Sequence, residues 1–332
     1  MAQKVVICGA GFLGWSPRLF SAFQTLTRLW ISLGFNIAKA LLTAAGGNLP
    51  RQLSSVQISS RSPNKVQAAL KTTQDLDHTR LLPPHPVDVT DPKSLDTAFK
   101  DADVVVSPVG LLRGTPEQFE RTPWIGAENV ANTAAGVGAK LIHFSVMGAN
   151  VDSTISYWRT KALGERAIFS RCPGATVFRP SIVFGPGDGF FTVSSVSVVE
   201  DCGFHPKAQK LVGLASILPF MPVFGGGTTR FQPVFVGDLA HAVKAIVEIP
   251  EARGQVAGKI IEAGGPDSQS IIHLTFVSRL TLARSTHLQG NRRLGATSHA
   301  PAAPHRLYPL QCRHVARCNP RTFTRQHFHH NS

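Results

Sequence analysis

Tyr157 and Lys161, in the run Tyr157-Trp158-Arg159-Thr160-Lys161, fall one helical turn apart and so share a face of any helix formed there. A phenol ordinarily ionises near pH ~10, and an adjacent ammonium stabilises the phenolate, which makes the pair a usable acid or base for hydride chemistry at a carbonyl. Lys161 can at the same time hold a nicotinamide ribose. Ser145, at the end of the apolar run Leu141-Ile142-His143-Phe144, is placed to hydrogen-bond a substrate carbonyl. Tyrosine and lysine at this spacing also occur on many helices with no chemical role. Chemistry at Ser145, Tyr157 and Lys161 therefore needs a cofactor beside them.

A candidate cofactor site lies at the start of the chain. The apolar Val5-Val6-Ile7-Cys8 leads into Gly9-Ala10-Gly11-Phe12-Leu13-Gly14, the order that a buried strand and a phosphate-binding turn require. Gly9 permits the tight turn, Gly11 the approach of a pyrophosphate, and Gly14 the close packing of the next helix, while Phe12 and Leu13 complete the turn. A helix N-terminus there offers free N–H groups and the positive end of its dipole. A second strand, Val56 to Ser60, ends where an acidic residue would bind an adenosine ribose hydroxyl. Here the residues are Ser60 and Arg61, which suit a 2′-phosphate and hence NADPH, although NADH is not excluded and Arg61 also fits a solvated turn. Asp88 and Val89, in a third strand end over Val87–Asp91, meet the adenine, and Gly110 after the fourth strand lets the ribose pass.

The elements between these residues alternate strand and helix. Helices are expected over Asn36–Ala44, Lys93–Phe99, Pro116–Ala135 and Ile155–Ser170, and strands over Asp103–Ser107, Lys140–Phe144 and Ala175–Phe178. Further on come a strand at Phe231–Val236, a helix from Gly237 to Glu248 with Asp238 as its N-cap, and a strand at Lys259–Gly265. Leu214–Val223 resumes the fold between them. This is the α/β pattern of a Rossmann-like, doubly wound parallel sheet, with a small C-terminal substrate lobe bordered by the glycine-rich loop around Asp188. Trp15–Phe35 and residues 192–213 break the pattern and read as insertions.

The formal net charge of +14 invites a nucleic-acid reading, but nine of those charges are arginines after Asp267, where no acidic residue remains to offset them. The body, residues 1–267, is only mildly basic, and residues 268–332 form a separate basic tail without apolar period. That tail is either a disordered arm for RNA or anionic lipid, or the product of a shifted reading frame, with the two internal stretches as retained introns. No specific nucleic-acid partner is expected. The 5 cysteines lack paired spacing, which points to a reducing compartment. No apolar stretch reaches the ~18 residues of a membrane span, and the early first strand leaves no room for a cleavable leader. No metal site is expected, since the tail histidines lack ligand spacing with Cys312 and Cys318. His143, within a strand, reads as a packed core histidine.

The Gly9–Gly14 turn, Ser59-Ser60-Arg61, Val87–Thr90, Trp124–Val130, Ser156–Glu165, Phe178–Phe191 and Arg230–Ala240 together resemble the atypical or extended short-chain dehydrogenase/reductases. Within them the similarity is to the mitochondrial group around NADH:ubiquinone oxidoreductase alpha-subcomplex subunit 9 and its fungal ubiquinone-synthesis relatives. It covers about residues 3–14, 36–191 and 214–267. The resemblance implies an NAD(P)H-binding Rossmann-like domain, a mitochondrial location, and partners in respiratory complex I or ubiquinone biosynthesis. It also implies a cofactor often held structurally, so Tyr157 and Lys161 carry over as positions; the alternative is an active NADPH-dependent reductase or epimerase using Ser145, Tyr157 and Lys161. Three departures stand out: the stretch at Trp15, the stretch at Thr192, and a tail in place of the family's C-terminal helices.

Overall fold

Strand β1 (Gln3–Cys8) sends Val5 and Ile7 to one buried face and Val6 and Cys8 to the other, which is why its sequence is apolar without a break. The computed structural model describes residues 3–9, 33–43, 54–111, 114–185 and 230–270, all within the first of two compact units, Met1–Ser278 and Arg279–Ser332. Beside β1 run β2 (Ser54–Ser60), β3 (His85–Pro86), β4 (Val104–Ser107), β5 (Lys140–Phe144) and β6 (Thr176–Pro180). Two short strands, β7 (Val183–Phe184) and β8 (Arg230–Phe231), precede β9 (Val234–Phe235), β10 (Ile260–Ala263) and β11 (Gln269–Ser270).

The main sheet has 7 parallel strands in the order β10-β6-β5-β4-β1-β2-β3. The order reverses at β1, so the crevice outside the carboxyl ends of β1, β2 and β4 is where a doubly wound sheet accepts a ligand. Helices cover both faces. On one side lie α1 (Leu33–Leu42), α2 (Pro63–Lys71) and the helix Val236–Glu248; Ile37, Leu41, Leu70 and Val243 pack there against Val5, Ile7 and Ile58. On the other lie α3 (Pro92–Phe99), α4 (Pro116–Phe119), α5 (Gly126–Gly136) and α6 (Ser156–Arg171), where Phe99, Val130 and Ile168 meet Val6, Val105 and Leu141. Val236–Glu248 is α7, and α8 (Pro250–Val256) follows it. No described helix is long and apolar enough to cross a membrane.

Several boundaries differ from the sequence expectation. Helix α1 begins at Leu33, inside the stretch read as inserted, because Gly34 and Phe35 are buried along with Ile37 and Leu41, and Phe35 joins the same core cluster. Val87–Asp91 is not a strand: β3 stops at Pro86, and after one further bond to β2, from Val87 N to Ser60 O, the chain turns away. There the Asp88 carboxylate instead accepts Thr90 N and Oγ1 at 2.9 and 2.8 Å, closing a turn. The strand expected at Phe231–Val236 divides into β8 and β9, with Val236 already helical. Phe235 therefore occupies the N-cap of α7, and Asp238 lies within its first turn. The helices α2 and α8, each opened by a proline in its first turn, were not anticipated.

Between α4 and α5 the chain widens into a π-helical segment, Glu120–Ile125, which contains Pro123. A proline cannot donate within a helix, and a widened turn accommodates that loss. The backbone there presses on α6: a Cβ on Gly164 would overlap the Pro123 carbonyl oxygen and lie 3.2 Å from Ala127 Cβ. Gly164→Ala is expected to destabilise the fold by about 1–3 kcal/mol through this overpacking. Urea unfolding checks this; an unchanged midpoint would contradict the close α5–α6 packing.

Candidate functional site

The turn after β1 is closed by backbone geometry. Gly9 has φ 101°, in the region that favours glycine, and its N–H donates to Ser59 O at 2.8 Å. A Cβ at Gly9 would lie 2.6 Å from Val109 Cγ2, so the β1 turn and the segment after β4 pack directly together. Gly11, Phe12, Leu13 and Gly14 lie outside the described residues.

At the end of β2, Ser60 is buried and its hydroxyl has no partner, while Arg61 is exposed. A buried hydroxyl left unpaired costs about 1–3 kcal/mol, so its retention beside the crevice points to a ligand that pairs it. The neighbouring segment is pinned: Val87 N donates to Ser60 O at 3.0 Å, and Asn129 Nδ2 of α5 to Val89 O at 3.0 Å. Burial works to raise the Asp88 carboxyl, but the Thr90 hydrogen bonds and the charges of Arg61 and Arg121 outweigh it and leave it below the ordinary value. Ser60, Arg61, Asp88 and Val89 thus gather at one end of the crevice. Arg121, whose charge acts on Asp88 from the π segment, was missed in the sequence because a lone arginine carries no motif.

Lys161 forms the other end. It is 3% exposed, and its ammonium donates to Val109 O at 2.8 Å and Phe144 O at 2.7 Å, tying α6 to the carboxyl ends of β4 and β5. A Cβ on Gly110 would stand 3.4 Å from Lys161 Nζ, so Gly110 and the ammonium are neighbours. Burial lowers the Lys161 ammonium to about 8, and Glu165 opposes that fall. Ser145 follows directly: its N–H donates to Phe178 O at 2.7 Å, and its buried hydroxyl has no partner.

Tyr157 occupies the predicted face of α6, but its pairing with Lys161 needs correction. The ammonium is directed to the two carbonyls, and burial alone raises the Tyr157 phenol above its ordinary value where an ammonium-assisted lowering was expected. Its ring meets Phe119 edge-on, with centroids 6.1 Å apart. His143 is buried in β5 as expected. Its Nδ1 lies 3.4 Å from Ser107 Oγ, its Nε2 has no partner, and burial together with the Lys161 charge drives it well below its ordinary value. The residues fit a dinucleotide in three respects: the crevice lies at the switch point, Gly9 takes a glycine conformation, and orphaned hydroxyls stand at both ends.

The comparisons agree with that geometry. The chain is 33% identical over 187 residues to the mitochondrial NADH dehydrogenase (ubiquinone) 1 alpha subcomplex subunit 9 of Arabidopsis thaliana, covering 55% of this chain and 42% of the relative. The chain resembles the extended short-chain dehydrogenase/reductases. A second relative is the ceramide reductase of Caulobacter vibrioides, 31% identical over 164 residues, covering 49% of this chain and 46% of the relative. The chain spans less than half the length of either. No family model matches it. Among solved structures, the PbgP3 protein of Burkholderia pseudomallei shares the fold with a TM-score of 0.56 at 20% identity, over 86% of this chain and 82% of that one. The likeness to solved structures is one of fold, a Rossmann-like doubly wound sheet.

His143 carries a pH consequence. The folded protein keeps the imidazole neutral, whereas in the unfolded chain it takes a proton below about 6.5, so the unfolded state binds more protons in acid. Stability is therefore lost as pH falls below that value. Urea unfolding between pH 7.5 and 5 should show a shallower acid loss in His143→Gln than in the wild type; equal slopes would contradict the assignment.

Proposed function

We propose that this chain is an NADPH-binding short-chain-dehydrogenase-like protein of mitochondria that supports respiratory complex I, or alternatively ubiquinone biosynthesis, and holds its cofactor chiefly as a structural element. The observation that carries the reading is the switch-point crevice with Gly9 and Gly110 between its two ends. At one end the orphaned Ser60 hydroxyl stands beside exposed Arg61; at the other the buried Lys161 ammonium stands beside the Ser145 hydroxyl. Arg61 favours NADPH, because a guanidinium past β2 pairs a 2′-phosphate where an acidic residue would repel it. Asp88 and Val89 border the adenine end.

Such a cofactor supplies hydride exchange when it is bound. The residues at its reactive end favour holding over base catalysis: Lys161 is committed to the Val109 and Phe144 carbonyls, and burial raises the Tyr157 phenol, which disfavours a phenolate base there. Placement with complex I draws on the relatives from Arabidopsis thaliana and Dictyostelium discoideum, named as subunits of a mitochondrial NADH dehydrogenase, and from Neurospora crassa, named as a mitochondrial NADH-ubiquinone oxidoreductase subunit.

Calorimetric titration of the full chain should detect NADPH binding. Arg61→Ala should weaken NADPH ~10-fold or more, as expected for one charge-assisted contact, with NADH affected little. Absence of binding to either dinucleotide would overturn the reading. Expressed with a tag in mitochondria, the chain should migrate with complex I on native gels; migration as a free protein would remove that partner.

A further inference from the structure

Lys161 bears a charge where water scarcely reaches, and its surroundings come from several elements. His143 faces it from β5; Tyr157 and Glu165 lie one turn before and one turn after it on the same face of α6. Behind Glu165, Arg179 of β6 donates from Nε and Nη2 to Oε1 and Oε2 at 2.9 and 2.6 Å. Glu262 of β10 approaches Arg179 at 3.9 Å but is 60% exposed, whereas the Glu165 side chain is 5% exposed. Arg166 and Arg179 border a cavity of about 460 Å³ with Glu165, Phe169 and Ile260. The two parallel bonds fix the Glu165 carboxylate in plane and position. The guanidinium is held above its ordinary value, foremost by the Glu165 hydrogen bond.

A buried ion pair of this kind is often replaceable by apolar side chains without loss of stability, so its presence calls for another reason. We propose that Glu165, anchored by Arg179, is a positioning residue that keeps the Lys161 ammonium protonated and aimed at the Val109 and Phe144 carbonyls, where it closes the cofactor crevice. Burial drives the Lys161 ammonium down to about 8, close to physiological pH, and Glu165 is the group that raises it. A neutral Lys161 keeps two N–H donors for the two carbonyls but loses the charge that strengthens those bonds and that would attract an anionic cofactor. The role in cofactor binding rests on the dinucleotide reading above; the role in holding the charge does not.

The test uses the full chain and two readouts. The first needs no cofactor: urea unfolding followed from pH 7 to 10.5. Folded Lys161 releases its proton near pH 8 and the unfolded chain near 10.5, so between them this group makes stability rise with pH. Buried Cys8, raised to about 12, makes it fall above about pH 9 in every variant, and the Lys161 contribution is read as the difference from Lys161→Met. In Glu165→Gln that rise should begin at least about one pH unit lower. Glu165→Asp should fall between Gln and wild type, and it carries the test alone if Glu165→Gln does not fold. Lys161→Met should remove the rise and make a second Glu165→Gln change silent in pH dependence. The second readout, NADPH affinity against pH, should show the same downward shift of its alkaline limit. An unchanged pH window in the Glu165 variants, with stability lowered equally at every pH, would overturn the proposal and leave Glu165 a packing residue. A shifted unfolding window without NADPH binding at any pH would uphold it and overturn the cofactor reading.

Discussion

One buried ammonium holds the functional end of this fold together. Lys161 reaches from α6 to the backbone carbonyls that end β4 and β5, and these are the strands that form the floor of the crevice on one side of the switch point. Hydrogen bonds from a charged donor contribute roughly 1.5–3 kcal/mol each, which offsets part of the penalty for taking the charge out of water. The remainder of that penalty shows in the lowered ammonium. The lysine is therefore a strut with a titratable end.

The opposite wall depends on backbone shape. Gly9 accepts a positive φ so that its N–H can reach Ser59 O, and Val109 occupies the volume that any Cβ there would need. Because the residue after Val109 abuts Lys161 Nζ, the glycine turn, the β4 segment and the ammonium form one contiguous set of contacts. Ser60, Arg61 and Asp88 extend it along the ends of β2 and β3. Orphaned hydroxyls at Ser60 and Ser145 bracket the set, and they are groups that a bound polar ligand would satisfy.

Much of this architecture is legible in the sequence, since a parallel sheet covered on both faces must write its strands as apolar runs. β1, β4 and β5 are read directly in this way, and the period of Ser156–Arg171 gives α6 to within one residue. The failures arise where a local hydrogen bond competes with a pattern. Val87–Asp91 has strand composition but follows Pro86, and the Asp88 carboxylate captures Thr90. Spacing alone placed Tyr157 and Lys161 on one face correctly, yet could not say that the carbonyls of two strands would take the ammonium. Glu165 and Arg121 escaped notice because their partners, Arg179 and Asp88, are brought near only by the fold.

The most direct check is a crystal structure of the full chain grown with NADPH. The dinucleotide should lie across the carboxyl ends of β2, β1 and β4, with its 2′-phosphate at Arg61 and its nicotinamide end beside Lys161 and Ser145. A crevice left empty at saturating NADPH, or the dinucleotide bound elsewhere, would contradict the assignment of this switch point as a cofactor site.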